Sequence, residues 1–327
     1  MYGDEEVKVC TGRVPGLDRP LSRLFFGTAS PPVSTCDGAA LELLDEVLAQ
    51  GINVFDCARS YGRAEETLGK WMESRRCRER VTVLSKCGDV QKGVVRVDRQ
   101  VIDEQLHRSL DALRTDRIDI YLLHRHDPNT PVEEIIDALN AHRESGRVGV
   151  FGASNWTHRD IETANRYAAA NGLAGFVVSS PNYGLTRQLA DPYGGGCVTI
   201  SGPEHAEARA WYIENQMPVV AYSSLGRGFF SGRFRAFDED GARRVLDVFA
   251  QKGYLYPANM RRLRRAEQLA EQYGISVPEI AMRYVFASPM NVFAVVSTTS
   301  IERMRMNLRA AANPLPAEAV RFLEADT

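Results

Sequence analysis

Apolar runs of strand length alternate along this chain with longer segments that have the spacing of apolar positions typical of amphipathic helices. The predicted strands cover residues 24–29, 53–58, 81–86, 118–124, 148–154, 176–180, 218–224 and 292–297. The predicted helices cover residues 38–50, 64–77, 98–113, 132–145, 158–171, 204–216, 259–273 and 301–311. Strict alternation of this kind predicts a parallel sheet with right-handed crossovers.

Eight strands and eight helices close most economically into an α/β fold, the (β/α)8 TIM barrel, which we predict as a single domain over residues 1–327. The alternative is a doubly wound open sheet. That fold favours a glycine-rich phosphate turn after an early strand, and Phe26-Gly27-Thr28 contains no G-x-G-x-x-G motif.

Segments outside the alternation predict additions to the barrel. Residues 7–20 predict two short extended pieces, and residues 277–287 and 317–324 predict extra helices. Two long connections, residues 181–203 and 226–257, follow the sixth and seventh strands. We expect both on the face where the strands end, where long loops usually shape a substrate pocket, although a merely decorative insertion is the alternative.

Composition narrows the class of protein. A formal charge of -2 over 327 residues gives no general basic field for nucleic acid. The opening MYGDEEVKVC lacks a signal-peptide pattern, and no run approaches the roughly 18 apolar residues of a membrane span, so we expect a soluble, cytoplasmic protein. The six cysteines form no C-x-x-C pair and no metal spacing, which predicts unpaired thiols and no metal site.

Polar residues end three successive predicted strands, and these are Asp56, Lys86 and His124. The two-residue alternation of a strand puts Asp56 on the face of Val54, and it places the other two on the equivalent faces of their strands. Tyr61 follows five residues after Asp56, in a loop. Such residues at the carboxyl ends of barrel strands are typical of an active site.

These four residues, with GASN at 152–155 and AYSSLGRG at 221–228, resemble the aldo-keto reductase family over residues 24–312. The resemblance implies a barrel whose lower end is closed by the hairpin at residues 7–20. It also implies reduction of a carbonyl group by hydride from a nicotinamide cofactor.

Tyr61 is the candidate proton donor, because a carbonyl that accepts hydride must also receive a proton. A phenol has a pKa of about 10, and we expect the Lys86 ammonium to lower it. Asp56 would keep Lys86 charged and aimed, and His124 would donate to or position the carbonyl oxygen. Three of these residues also have a purely structural alternative. Asp56 would be a helix cap, Lys86 a solvated surface side chain and His124 an ordinary core residue. His126 is equally compatible with the pocket rim and with the loop surface.

The resemblance assigns the nicotinamide end of the cofactor to the fifth, sixth and seventh strands. Ser154 and Asn155 would bond the carboxamide, and the ring of Tyr222 would stack on the nicotinamide. Ser180 stands where the family often has a glutamine, so one carboxamide contact departs from the pattern. The pyrophosphate would meet a further group of residues, namely Ser223, Leu225, Gly226 and Arg227.

The segment VVSTTSIERMRMNL resembles the family's adenosine site. Thr298 and Thr299 precede a helix start that favours phosphate, Arg303 would pair with a 2′-phosphate or stack on adenine, and Asn307 would read the base edge. The family's frequent lysine and glutamate are replaced by Ser297 and Met306. We therefore expect NADPH, with NADH as the alternative.

The leading hypothesis is an NADPH-dependent reductase of an aldehyde or ketone, with sugar-like or hydroxylated carbonyls among the candidates. One alternative is a nucleotide-binding sensor, as in channel-associated relatives, and another is a Schiff-base aldolase that uses Lys86. Trp156, Tyr183, Tyr193 and Phe229 are candidate pocket residues, with a place in the core as an equal alternative for Trp156. The sequence leaves the substrate, the preferred direction and the oligomeric state open.

Overall fold

A computed structural model describes residues 9–325, in which eight parallel strands close into a barrel. The barrel strands are β3 (Leu24–Gly27), β4 (Val54–Asp56), β5 (Thr82–Cys87), β6 (Ile118–Leu123), β7 (Val148–Ser154), β8 (Ser179–Ser180), β9 (Val219–Ala221) and β10 (Val292–Val296). They pair in chain order, and β10 closes the ring by pairing with both β9 and β3. The predicted TIM barrel is confirmed, and the open-sheet alternative is wrong.

Helices surround the barrel and cover its outer surface. They are α1 (Ala40–Ala49), α2 (Ala64–Arg75), α3 (Arg99–Leu113), α4 (Val132–Glu144), α5 (His158–Ala170), α6 (Ala206–Asn215), α7 (Glu239–Val245), α8 (Val248–Tyr254), α9 (Pro257–Tyr273), α10 (Val277–Phe286), α11 (Ile301–Ala312) and α12 (Ala317–Glu324). Between residues 9 and 325, no helix combines the length and the apolar character needed to cross a bilayer.

The alternation of side chains along each strand separates two cores. Val54, Leu84 and Ile120 point into the barrel and belong to its inner cluster, whereas Phe55 and Val83 pack outward against the helices. Asp56, Lys86 and His124 continue the inward alternation to the ends of their strands. The sequence-based assignment of these faces is therefore confirmed.

The barrel is plugged at the end where its strands begin. β1 (Thr11–Gly12) pairs with β2 (Leu21–Ser22) in an antiparallel hairpin. Val14 and Leu21 of this hairpin pack into the inner cluster with Phe25 and Phe293. The predicted hairpin is present but short, and its second strand begins one residue beyond the predicted limit. The predicted positions 7 and 8, like the rest of residues 1–8, lie outside the described residues.

The long connection over residues 226–257 is not a plain loop, and this corrects the prediction. It contains α7 and α8, which begin at aspartate caps: Asp238 accepts from the Gly241 amide at 2.8 Å and Asp247 from the Ala250 amide at 2.7 Å. Each helix has only seven residues, too few for a clear amphipathic pattern.

Several predicted boundaries also shift. The sixth and seventh strands are shorter than predicted, and α9 begins at Pro257, two residues early. The sixth strand ends at Ser180 as predicted but begins three residues late, at Ser179, although the Val177 amide still donates to the Phe151 carbonyl of β7 at 3.1 Å.

Free cysteines are found at all six positions, as the sequence predicts. Cys57, Cys77 and Cys87 are buried, and Cys10, Cys36 and Cys197 are partly exposed.

Candidate active site

A buried ion pair lies at the mouth of the barrel, between the ends of β4 and β5. The Lys86 ammonium donates to Asp56 Oδ1 at 2.5 Å and to the Cys57 carbonyl at 3.0 Å. The two side chains are 4% and 5% exposed. The parallel register sets Asp56 opposite Leu84, so Lys86 emerges from the next inward position and reaches back to the carboxylate.

Burial and charge oppose each other in this pair. Burial raises the pKa of Asp56 and outweighs the attraction of Lys86. Burial on its own would lower the pKa of Lys86, but the neighbouring Asp56 and Tyr61 more than compensate and raise it. Lys86 therefore stays protonated at neutral pH, and a protonated amine is a poor nucleophile for the Schiff base that an aldolase requires.

The Tyr61 hydroxyl lies 3.4 Å from the Lys86 ammonium. A tight turn holds the ring there, since the Tyr61 amide donates to the Ala58 carbonyl and the Ala64 amide donates to the Tyr61 carbonyl at the start of α2, each at 3.0 Å. Burial raises the pKa of Tyr61 to about 12, although Lys86 acts to lower it. Lys86 thus lowers the pKa of Tyr61 as expected, but burial raises that pKa by more. Tyr61 carries its proton at neutral pH.

His124 packs against Tyr61 with the two rings edge to face and their centroids 5.6 Å apart. Burial, and next the charge of Lys86, lower the pKa of His124 to about 3, while Asp89 acts in the opposite direction. The imidazole is consequently neutral at pH 7. Its Nδ1 atom lies 3.5 Å from Asp89 Oδ2 and 3.5 Å from Ser60 Oγ.

Ser60 and Asp89 were not predicted as site residues. The one available signal was position, because Ser60 precedes Tyr61 and Asp89 follows Lys86 by three residues, just after β5 ends. Neither residue type is distinctive at such a place without the fold.

Three of the four candidate pocket residues lie in the hydrophobic core instead. Trp156, Tyr183 and Phe229 are each at most 4% exposed. The Trp156 indole donates to the Arg125 carbonyl at 3.1 Å, and the half-buried His126 packs edge to face on the same indole. The fourth candidate, Tyr193, remains partly exposed.

The residues predicted for the carboxamide lie together at the mouth of the barrel. Ser154 Oγ donates to the Ser180 carbonyl and Ser180 Oγ to the Val220 carbonyl, each at 2.8 Å. The Ser180 hydroxyl is therefore already used as a donor to β9. The family pattern would place a glutamine, with its longer amide side chain, at this position.

Asn155 lies at the centre of this cluster and is fully bonded within the protein. Its Nδ2 donates to the His124 carbonyl at 3.0 Å and to Ser154 Oγ at 3.1 Å. Its Oδ1 accepts from the Tyr222 hydroxyl at 2.7 Å and from the Val198 amide at 3.1 Å. An amide side chain offers two donors and two lone pairs, and here all four are used. A nicotinamide carboxamide bound at Asn155 has to replace some of these bonds.

Val198 belongs to the long loop after β8, and this loop is held by one carboxylate. Asp191 accepts from the backbone amides of Tyr193, Gly194, Gly196 and Cys197 at 2.9 to 3.1 Å. Burial on its own would raise the pKa of Asp191. The hydrogen bonds from these amides and from the Cys197 thiol outweigh burial and lower the pKa to about 2. The loop is therefore a shaped segment that rests on the predicted cofactor cluster.

The segment after β9 forms a tight turn, in which Ser223, Gly226 and Arg227 have positive φ angles and the Gly226 amide donates to the Ser223 carbonyl at 2.7 Å. Leu225 is half-buried in the same turn. Arg227 pairs with Asp247 of the α8 cap at 2.5 Å, donates to the Tyr193 hydroxyl at 2.9 Å, and stacks on that ring. The cation predicted for the pyrophosphate is thus engaged with other side chains, and Asp247 was missed by the sequence analysis.

The residues predicted for adenosine surround the start of α11. Ser300 caps this helix, and Thr298 and Thr299 line a cavity of about 110 Å³ beside Gly27 and Ser297. In the described part of the chain the exposed Arg303 side chain makes no polar contact.

Asn307 gives a test of whether adenine fits here. Its side chain is 4% exposed, and its Oδ1 atom is buried without a hydrogen-bond partner among residues 9–325. A buried amide oxygen normally accepts a hydrogen bond, and the adenine amino group is a donor that would satisfy it. The donor and acceptor set at this end of the site is suited to an adenine nucleotide.

A TIM barrel with a phenol, an ammonium and an imidazole at its mouth has the proton-donating groups that reduction of a carbonyl group requires. The model of the aldo/keto reductase family matches residues 23–325, so the chain belongs to that family and is an NAD(P)H-dependent oxidoreductase. The family model covers the barrel and all the site residues described above.

Similar proteins occur in bacteria and fungi. The "Uncharacterized oxidoreductase YrpG" of Bacillus subtilis is 26% identical over 93% of this chain and 91% of its own. The "Aldo-keto reductase str7" of Strobilurus tenacellus is 26% identical over 90% and 82% of the two chains. The "Probable aryl-alcohol dehydrogenase AAD4" of Saccharomyces cerevisiae is 26% identical over 87% and 86%.

Replacement of the carboxylate that shapes the loop provides a test of this description. In Asp191→Ala, four backbone amides lose their common acceptor, so we expect hydrogen exchange of residues 193–198 to accelerate by about tenfold or more. Mass spectrometry of deuterated peptides measures this. Asp238→Ala, which removes the cap of α7, is the control and should leave residues 193–198 unchanged. Equal exchange in the Asp191 variant and the wild-type protein would contradict the account of the loop.

Proposed function

We propose that this protein reduces an aldehyde or ketone to the alcohol with NADPH, and that Tyr61 is the general acid. The observation that carries the proposal is the Tyr61 hydroxyl 3.4 Å from a buried ammonium, itself bound to a carboxylate. The family reduces carbonyl groups in general. We infer the identities of the acid, the cofactor and the substrate from the residues of the site.

The protonation states of the site residues indicate which group would supply the proton to the carbonyl oxygen. When bound, the reduced nicotinamide nucleotide supplies the hydride. Negative charge then develops on the carbonyl oxygen, and a positioned donor has to neutralise it. Tyr61 has a pKa of about 12 and therefore holds a proton at neutral pH. Lys86 stabilises the phenolate that remains after transfer, and Asp56 keeps the ammonium charged and directed.

Different groups of residues would hold different parts of the nucleotide. Ser154, Asn155 and Ser180 would bond the carboxamide, and Tyr222 would supply the stacking ring. The turn of Ser223, Leu225, Gly226 and Arg227 would meet the pyrophosphate. Thr298, Thr299 and Arg303 would hold a 2′-phosphate at the start of α11, and Asn307 would accept from adenine. The unpaired Oδ1 atom of Asn307 is the observation that supports this placement.

A regulatory nucleotide sensor on the same barrel is the weaker reading. A sensor needs the nucleotide-binding residues but has no use for a phenol held against a buried ammonium and carboxylate. The two charges of Lys86 and Asp56 are expensive to bury unless they are paired, and here they are paired beside the Tyr61 hydroxyl. The names of some relatives, which include aryl-alcohol dehydrogenases, make aromatic aldehydes the first substrates to test.

Removal of the phenol tests the acid. In Tyr61→Phe the ring and its packing remain but the proton is lost, so we expect kcat for aldehyde reduction to fall by about 10²- to 10⁴-fold. Cofactor binding, measured by fluorescence titration, should stay close to that of the wild-type protein. Tyr167→Phe, which removes a surface hydroxyl bonded to Asp137, is the matched control. A Tyr61 variant that retains its rate would remove Tyr61 as the acid.

Removal of the exposed cation on α11 tests the choice of cofactor. In Arg303→Ala we expect the KM for NADPH to rise by about tenfold or more, because a charge-assisted contact to the 2′-phosphate is lost. The KM for NADH should barely change, since NADH has no such phosphate. Arg305→Ala on the same helix, which breaks a contact to Gln50, is the control. Equal effects on the two cofactors would show that Arg303 recognises adenine alone.

A further inference from the structure

A second buried carboxylate, that of Glu65, lies on the outer side of the strand that carries Lys86. The Glu65 side chain is 3% exposed. Its Oε1 atom accepts from the Ser85 hydroxyl at 2.6 Å, and its Oε2 atom pairs with the Arg59 guanidinium. Ser85 directly precedes Lys86 on β5, and Arg59 precedes Tyr61 by two residues in the loop before α2. One carboxylate therefore joins the two elements that carry the phenol and the ammonium.

An acidic residue in the first turn of a helix also has an ordinary structural role, because it favours the positive end of the helix dipole. Glu66, the next residue of α2, fits that role, since its side chain is 35% exposed and pairs with Arg63 and Lys70 on the surface. Glu65 would not need to be buried for the same purpose. A buried carboxylate costs free energy unless it is paired and hydrogen-bonded. The contacts of Glu65 to the loop and to β5 therefore account for its burial better than the helix end does.

The elements on either side of the loop are rigid supports for this carboxylate. α2 packs closely on α3, since a Cβ atom added at Gly69 would lie 2.3 Å from the Ala112 carbonyl oxygen. β5 is hydrogen-bonded to β4 on one side and to β6 on the other. Glu65 belongs to α2 and is tied to β5 through Ser85. The carboxylate thus has a fixed place from which it can hold a side chain of the loop.

The loop that carries Tyr61 is closed at its base by this pair. Arg59 and Glu65 lie on either side of Tyr61 in the chain, so the contact between their side chains links the two ends of the segment 59–65. At the same point the Arg59 amide donates to the Lys86 carbonyl at 3.0 Å. The backbone and the side chain of Arg59 therefore hold the loop against β5 and α2 together.

We propose that Glu65 is a positioning residue, which holds the proton donor Tyr61 in place beside Lys86. It acts through the Arg59 side chain on the loop and the Ser85 hydroxyl on the strand. The phenol and the ammonium are 3.4 Å apart, so a small movement of the loop separates them. A misplacement of about 1 Å can cost about 10²-fold in rate. This inference rests on the proposed role of Tyr61 as the acid.

Loss of the negative charge tests the proposal. Glu65→Gln keeps the size of the side chain and can still accept from Ser85, but it turns an NH₂ group toward the Arg59 guanidinium and so releases the loop. We expect kcat for benzaldehyde reduction to fall by about 10- to 100-fold. The Kd for NADPH, measured by fluorescence titration, should stay close to that of the wild-type protein. A variant that folds and keeps the wild-type kcat would overturn the proposal.

A solvent isotope effect separates positioning from a general loss of stability. If the loop is displaced, proton transfer from Tyr61 becomes slower relative to the other steps. The ratio of kcat in H₂O to kcat in D₂O should then rise above the wild-type value. A variant that is only less stable has fewer folded molecules, but each of them turns over normally and shows the wild-type ratio. A slow Glu65→Gln variant with that ratio would reduce Glu65 to a structural residue.

Removal of the other partner keeps the test decisive if Glu65→Gln does not fold. Arg59→Met breaks the same link from a side chain that is 33% exposed. We expect it to lower kcat and to raise the solvent isotope effect in the same way. The double variant should be no slower than the slower single variant, because both substitutions remove one interaction. A wild-type rate in Arg59→Met, or effects that multiply in the double variant, would contradict the proposal.

Hydrogen exchange gives a readout that needs no turnover. In Glu65→Gln we expect the amides of residues 59–64 to exchange about tenfold faster or more, as measured by mass spectrometry of deuterated peptides. Glu66→Gln is the matched control, because it removes exposed ion pairs from the same helical turn and should leave exchange and kcat unchanged. Exchange in Glu65→Gln equal to that of the wild-type protein would show that the carboxylate does not hold the loop.

The two kinds of failure can be told apart. If wild-type protein reduces no carbonyl, or if Tyr61→Phe keeps its rate, the proposed function fails while hydrogen exchange still reports whether Glu65 holds the loop. If Tyr61→Phe is inactive but Glu65→Gln and Arg59→Met are as fast as the wild-type protein, only the positioning role is lost.

Discussion

The buried Asp56–Lys86 pair is the interaction on which the site depends. Each charge is almost completely removed from water and is stabilised chiefly by the other. Loss of one partner of such a pair generally costs about 3–5 kcal/mol, because an uncompensated charge remains buried. The barrel makes the pair possible, since adjacent parallel strands in fixed register bring the ends of β4 and β5 side by side. Tyr61 is then held against the ammonium by the turn that starts α2.

Burial, more than the nearby charge, decides the protonation states around this pair. Lys86 is close enough to favour a phenolate at Tyr61, yet burial prevails and the pKa of Tyr61 rises to about 12. Burial and Lys86 act together on His124 and lower its pKa to about 3. At neutral pH the mouth of the barrel therefore contains a protonated phenol and a neutral imidazole. If Tyr61 is the acid, as we propose, its proton is in place before a substrate arrives.

The sequence was sufficient for the barrel and for the inward residues at the ends of its strands, because strand alternation and strict βα order depend on local pattern alone. The sequence was insufficient for features that depend on contacts between residues far apart in the chain, or on helices too short to show a pattern. The helices α7 and α8 were missed because each has only seven residues. Trp156, Tyr183 and Phe229 are core residues because of packing that one sequence does not reveal. The bonds of Asn155 to Tyr222 and Val198, and the carboxylate of Asp89 behind His124, likewise join segments far apart in the chain.

The most direct measurement of the central claim follows the hydride. NADPH with both hydrogens at C4 of the dihydropyridine ring replaced by deuterium is mixed with benzaldehyde and the wild-type protein, and the alcohol is analysed by mass spectrometry. With both positions labelled, deuterium is transferred whichever C4 hydrogen leaves as hydride. If the barrel mouth works as described, the benzyl alcohol formed carries deuterium on the former carbonyl carbon, over many turnovers. Bound cofactor with no alcohol formed, or alcohol without deuterium, would contradict carbonyl reduction by hydride transfer at this site.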